Sequence, residues 1–269
     1  VNNSFESAEE QAAFDVYDAN NINPLYGFFV ARAGLGASES MRSKLAEYND
    51  PRLSRAFITK QGASGKEQAP GTADNAVYAP NGTPEQGTSK YGTSLFMYSI
   101  SAPTLLLSYH ELKFLEAEAL CRLERDAKSA LKDAVVAGLL NAENSFTISR
   151  KELGKTLINA ASSITEAEAE SYFDNTIEAK YTAEPLKTTM IQKYFALWGA
   201  SGEATESYND VRRMKGLGEN FIELKNPNSF PLRCPYGNSD TTTNAEVKAA
   251  YGNGQYVYSE NVWWAGGSR

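Results

Sequence analysis

Three glutamates, Glu111, Glu116 and Glu118, fall within one stretch, Tyr109-His110-Glu111-Leu112-Lys113-Phe114-Leu115-Glu116-Ala117-Glu118-Ala119. Two carboxylates flanking a glycosidic bond are the machinery of glycoside hydrolysis. On a helix, Glu111 and Glu118 lie two turns apart on one face, about 10 Å along the axis, which just reaches the inverting geometry. The competing role is structural. Carboxylates on a helix face are usually solvated or paired with guanidinium groups, and Arg122, Arg212 and Arg213 are available. Nothing else in the sequence marks a cleft around these acids, so pairing is the expectation.

Other chemistry is poorly supplied. The chain has a single histidine, His110, and no Cys-x-x-Cys, so a multi-histidine or zinc-ribbon metal site is not expected. A Ser-His-Asp triad would need His110, which sits inside the best helical segment. Asp240, among Asn238, Thr241, Thr242, Thr243 and Asn244, does not follow the spacing of a twelve-residue calcium loop and reads as a turn. Arg212-Arg213 with Lys215 could clamp an anion. Basic residues in the last turn of a helix also offset its dipole, and that role is the better one here. Cys121 and Cys234 could pair, but nothing forces them to, and two free or buried thiols are expected.

Aromatic side chains are the more promising binding groups, because ring faces stack on pyranose rings. Trp263-Trp264, with Tyr251, Tyr256 and Tyr258, forms an aromatic C-terminus that either meets ligand or pins the tail. Tyr26, in Asn23-Pro24-Leu25-Tyr26-Gly27-Phe28-Phe29, and Tyr78 and Tyr91 in a glycine-rich excursion are further candidates. The expected ligand-contacting set is therefore Tyr26, Tyr78, Tyr91 and Trp264, with no catalytic residue, metal or cofactor.

The elements that must position these groups are mostly helical. Residues up to Asn20 read as a helix opened by a Ser7/Glu10 capping box. A short helix spans about Ser38 to Tyr48 and is stopped by Asp50-Pro51. Residues 60–92 carry many glycines and prolines and few aliphatics, so they form a long surface excursion. A helix is expected from Ser101, with Pro103 in its first turn and Leu105, Tyr109, Leu112 and Leu115 on one face. Asp126 caps the next helix, marked by Leu131, Val135 and Leu139. Ser149 with Glu152 and Thr165 with Glu168 read as two further capping boxes. Helices follow over about Glu184 to Trp198 and Gly202 to Lys215, the last ended by Gly216 and Gly218. Residues 220–269 turn irregular and aromatic. Short strands fit near Arg52–Thr59 or Tyr256–Tyr258. The fold class is mainly α: seven or eight antiparallel helices in hairpins, with long irregular loops and few short strands.

With 269 residues, 42% hydrophobic and 22% charged, the chain can bury a substantial core. A net charge of −7 argues against a duplex nucleic-acid partner. No apolar run reaches the ~18 residues of a spanning helix. The chain carries no recognisable signal peptide and opens on Val1 rather than Met, so processing or truncation is expected to have removed the true start.

The acidic helix is followed in order by Ile191-Gln192-Lys193-Tyr194-Phe195-Ala196-Leu197-Trp198, Tyr208-Asn209-Asp210-Val211-Arg212-Arg213, and Pro231-Leu232-Arg233-Cys234-Pro235-Tyr236 with Asn244 downstream. Closed by Trp263-Trp264, this series resembles the C-terminal half of the SusD/RagB family of nutrient-capturing outer-membrane lipoproteins. The resemblance implies tetratricopeptide-like helices and a single SusD-like C-terminal region over 1–269. It implies a core role for the acidic helix and no enzymatic activity. It further implies a glycan or peptide ligand gripped by variable loops, and delivery to a SusC-like, TonB-dependent transporter. Lipid anchoring at the outer face of the outer membrane would come from an N-terminal cysteine absent from this chain. The N-terminal half of such a protein would be a further partner. A glycoside hydrolase using the helix carboxylates and a helical-repeat scaffold for a partner protein are the rival readings.

Overall fold

A computed structural model describes residues 4–32, 36–61, 66–68, 78–82, 91–153, 162–199, 203–225, 229–252 and 256–267. They divide into two compact units, Val1–Glu223 and Leu224–Arg269. Ten helices and five short strands lie among them. The helices are α1 Pro24–Arg32, α2 Glu39–Glu47, α3 Tyr109–Arg122, α4 Lys128–Leu153, α5 Glu166–Tyr172, α6 Glu178–Ala183, α7 Pro185–Leu197, α8 Ala204–Gly216, α9 Asn238–Thr243 and α10 Ala245–Tyr251. The strands are β1 Ala12–Phe14, β2 Phe57–Gln61, β3 Lys66–Gln68, β4 Thr93–Ser94 and β5 Thr104–Leu107.

The first unit is organised around α3, α4 and α7. The Ser108 hydroxyl accepts the Glu111 N–H and so starts α3. The helix then buries Phe114 and Ala117. α4 lays down Leu131, Val135, Leu139, Ala142 and Phe146 at three- and four-residue spacing, which is the condition for one buried stripe. α7 closes the core with Met190 and Phe195. Gly138 sets how closely α4 and α7 approach: a Cβ there would lie 2.8 Å from the Ala196 Cβ. Thr165 caps α5 as expected, accepting the Glu168 N–H. α5 and α6 are joined by one π-helical turn, Phe173–Ile177, which buries Phe173 and Ile177.

Three local expectations are corrected. The described residues 4–20 do not form an α-helix. Ser7 caps only a 3-10 turn, Ala8–Glu10, and Ala12–Phe14 pair antiparallel with Thr104–Leu107. That pairing also displaces the helix expected from Ser101. Pro103 precedes a strand, and α3 begins after Ser108. Ser149 does not open a new helix either, since α4 runs unbroken to Leu153. Its hydroxyl lies 2.7 Å from the Ser99 hydroxyl, 2.7 Å from the Leu95 carbonyl and 2.9 Å from the Ser145 carbonyl. The capping-box serine serves a buried tertiary contact instead. Ser149→Ala should therefore cost about 1–3 kcal/mol, because buried polar partners lose their bond. Urea unfolding followed by circular dichroism would read it, and an unmoved midpoint would contradict the assignment.

β2 pairs with both β3 and β4, with Phe57 opposite Ser94. In the second unit, α9 and α10 bring regular structure into a region expected to be irregular. Asn244 caps α10 by accepting the Glu246 N–H, and the Leu232 N–H bonds the Val257 carbonyl. The tripeptide Tyr256–Tyr258 is a 3-10 turn and not a strand. Cys121 and Cys234 are free thiols. No described helix is long and apolar enough to cross a membrane.

Candidate ligand-binding surface

The acidic helix carries the carboxylates on which the hydrolytic alternative depends. Glu118 is almost entirely buried, and its carboxylate is fully engaged. Arg122 Nε donates to one oxygen at 2.6 Å, and Arg213 donates to both, at 2.8 Å on the second. Arg122 also reaches across to Glu219, and Arg213 to Asp210. Burial alone would raise the Glu118 pKa, but the hydrogen bonds from Arg213 and Arg122 overcome it and hold the carboxyl below its ordinary range. Glu111 moves the other way, pushed up to about 8 by burial and by the hydrogen bond and charge of Glu203.

Two carboxyls with opposed pKa shifts are what an acid/base pair requires. Here Glu118 is committed to two arginines, and no described hydrogen bond pairs it with Glu111 across a cleft. A charged groove of about 530 Å³ does open beside them, lined by Leu115, Lys193, Glu206 and Asn209 among others. Lys193 in that groove is held by Asp210 at 2.8 Å. The pairing foreseen for Arg122 and Arg213 is present. Arg212 instead stacks over the Tyr208 ring at 5.7 Å. Among the described residues, no group of three or more His, Cys, Asp or Glu could hold a metal ion.

The aromatic candidates fall in separate places. Tyr78 is half-buried, edge-on to Phe57 at 5.3 Å, with the Arg42 guanidinium 5.0 Å over its ring. Its segment is laced to the start of α2. Ala79 N–H bonds the Ala37 carbonyl, Glu39 N–H bonds the Ala79 carbonyl, and Ser38 and Asn81 side chains meet at 3.0 Å. Ala37 N–H in turn bonds the Gly92 carbonyl, so the backbones beside Tyr78 and Tyr91 flank one residue. Tyr91 itself is only 5% exposed and packs inside this unit. Tyr26 lies half-buried on α1, away from that strip in sequence and pairing.

In the second unit, Trp263 and Trp264 stand edge to face with ring centres 5.5 Å apart, and each is 70% exposed. Most of the glycine-rich excursion, residues 62–65, 69–77 and 83–90, lies outside the described residues. Missed in the sequence were Arg42, which stacks on Tyr78, and the polar pair Ser38 and Asn81. Periodicity offers no signal for either, since both contacts join segments about forty residues apart.

With this geometry established, comparison places the chain. Residues 1–236 match the model of the SusD-like family, described as starch-binding and associating with the outer membrane, and the chain belongs to that family. A SusD/RagB family protein from Bacteroides thetaiotaomicron is 65% identical, with a TM-score of 0.88; the match covers 99% of this chain and 57% of that one. A SusD homolog from Bacteroides fragilis, 15% identical with a TM-score of 0.60, shares the fold over 98% of this chain and 59% of its own. A SusD-like protein from Bacteroidetes AC2a does so at 16% identity and a TM-score of 0.57, over 97% and 62%. The chain thus spans less than two thirds of the length of these relatives. No curated protein matches it.

Proposed function

We propose that this chain is a non-catalytic part of a nutrient-capture protein that binds a glycan or peptide at the outer-membrane surface and passes it to a SusC-like, TonB-dependent transporter. The observation that carries ligand capture is the Trp263–Trp264 pair. Two indoles, each 70% exposed, form a platform that a folded chain would otherwise bury. Tyr78, oriented by Arg42, is the contact proposed in the first unit, with Tyr26 and Tyr91 as lesser members of the set. Family membership supports a role in association with the outer membrane, and a lipid anchor is proposed to hold the protein there. The commitment of Glu118 to two arginines favours binding over hydrolysis.

Each stacking contact is worth about 1 kcal/mol. Trp264→Ala and Tyr78→Ala should therefore each weaken binding about fivefold without changing the fold. Affinity electrophoresis and calorimetry against a panel of oligosaccharides and peptides would test this. Retention by none would favour a helical scaffold for a partner protein, and release of shorter products would favour a hydrolase.

A further inference from the structure

We propose that the cavity between α3, α4, α5 and the 3-10 turn Ala8–Glu10 binds a hydroxylated ligand that carries a protonated primary amine. The cavity measures about 510 Å³, a size usual for small-molecule sites. α4 supplies its long wall. Val136, Leu140 and Asn144 recur every four residues along that helix, and Ala137 and Asn141 form the neighbouring row. Val136, Ala137 and Leu140 make an apolar strip that suits the C–H face of a ligand. Beside the strip, the side-chain amides of Asn141 and Asn144 hold no hydrogen bond among the described residues. Tyr109 and His110 of α3 line the cavity as well, and the Tyr109 N–H donates to Gln11 Oε1 at 3.3 Å. That bond commits the Gln11 oxygen and leaves its NH2 to meet a hydroxyl. A few polar groups set against an apolar wall are what orient a ligand in such sites.

Charge selects the kind of ligand. The lining carries four carboxylates, Glu6, Asp133, Glu166 and Glu170, against one lysine, Lys132. Lys132 is already engaged: its ammonium meets both oxygens of Asp174, at 2.8 and 2.9 Å. Lys113, whose ammonium lies 5.7 Å over the Tyr109 ring, is held by Glu116 at 3.1 Å. His110 is 1% exposed and adds no charge, since burial and then the Arg52 charge push it down to about 3. Its Nε2, 3.6 Å from Glu203 Oε2, has no hydrogen-bond partner. None of the four carboxylates is in an ion pair among the described residues. They do not make a metal site either, because no described group of three or more such residues could hold an ion. An organic ammonium is the cation that fits. It needs no fixed coordination shell and can be shared among several carboxylates.

The lining lies wholly in the first unit and includes none of the side chains proposed above to stack on ligand. The site therefore goes beyond the Trp263–Trp264 reading and does not rest on it. A hydroxylated amine has two sources, an amino sugar and a peptide, and both present the same ammonium to the same carboxylates. An acidic ligand would be repelled by the lining.

Calorimetry of the 269-residue chain would test the assignment, at about pH 6, where carboxylates are ordinarily ionised and aliphatic amines protonated. The probes are a glucosamine disaccharide, its N-acetylated form and seryl-lysine amide. One of the two amines should bind about tenfold more tightly than the N-acetylated sugar, and the one that does names the source. Glu166→Gln combined with Glu170→Gln, both at exposed positions, should weaken that amine about fivefold. Asn144→Leu, also exposed, should weaken it too, with circular dichroism verifying the fold of each variant. Equal binding of the free and acetylated sugars would overturn amine recognition while leaving glycan capture at the tryptophans standing. Amine binding untouched by both variants would place it elsewhere and overturn the site, as would binding of neither amine.

Discussion

Replacing Arg52 with methionine should destabilise the chain by about 3–5 kcal/mol, the cost of leaving a buried charge without its partner. Arg52 is 2% exposed, and its guanidinium grips Asp50 at both ends, Nε to Oδ1 at 2.9 Å and Nη2 to Oδ2 at 2.7 Å. The remaining Nη1 donates to the Phe195 carbonyl at 2.7 Å, at the end of α7. Burial works against the cation, yet the Asp50 charge and hydrogen bond outweigh it and raise the Arg52 pKa further. Tyr172 on α5 donates a longer bond to Asp50 at 3.3 Å. One ion pair thus joins the segment before β2 to both α5 and α7. Methionine fills the aliphatic volume but leaves Asp50 with only Tyr172 and the Arg52 backbone N–H. Chemical unfolding would give the loss directly. Adding Asp50→Ala to Arg52→Met should return a substantial part of it, because the stranded carboxylate goes too. A double variant no better than the single would show that the lost Phe195 contact, not the charge, was the cause.

Gly199→Ala should cost about 2–5 kcal/mol for two separate reasons. Gly199 ends α7 at a φ of +79°, where a side chain meets its own backbone at a cost of roughly 1–2 kcal/mol. A Cβ there would also sit 2.4 Å from the Phe96 ring, so aromatic core must shift, adding about 1–3 kcal/mol. The comparison position is Gly218, at a φ of +76°, where an added methyl group would meet nothing within 4 Å. Gly218→Ala should therefore show only the conformational part of the loss. Equal losses at the two sites would remove the packing half of the explanation.

Much of the helical frame was legible because its signals are local. Ser38, Thr165 and the Asp50-Pro51 stop act within a few residues, and the α4 stripe of Leu131, Val135 and Leu139 needs only its own period. The misread places are those where a distant partner overruled local preference. Ala12–Phe14 became a strand because residues 104–107 pair with it, and Ser149 turned inward to Ser99 and Leu95. For the acids, the sequence foresaw arginine pairing for Glu118 but not the Glu203 charge that helps raise the Glu111 pKa. Glu203 lies far along the chain from Glu111, beyond the reach of any spacing rule. Of the candidate contact residues, Trp264 was chosen from residue type with pinning of the tail as the alternative, and its exposure, like the burial of Tyr91, is set by packing that residue type does not reveal.

The ring of Trp198 is wedged between Phe57 at 5.3 Å and Phe96 at 5.1 Å, and Phe96 touches Phe146 of α4 at 4.7 Å. The chain's two other tryptophans, Trp263 and Trp264, stand in solvent. Its intrinsic fluorescence therefore has two distinguishable sources, a blue-shifted emitter inside the helical unit and a red-shifted pair in the second unit. Red-edge quenching by a soluble collider would report on the exposed pair alone, and a spectral shift of the blue component would report on loosening around Trp198, without any added label.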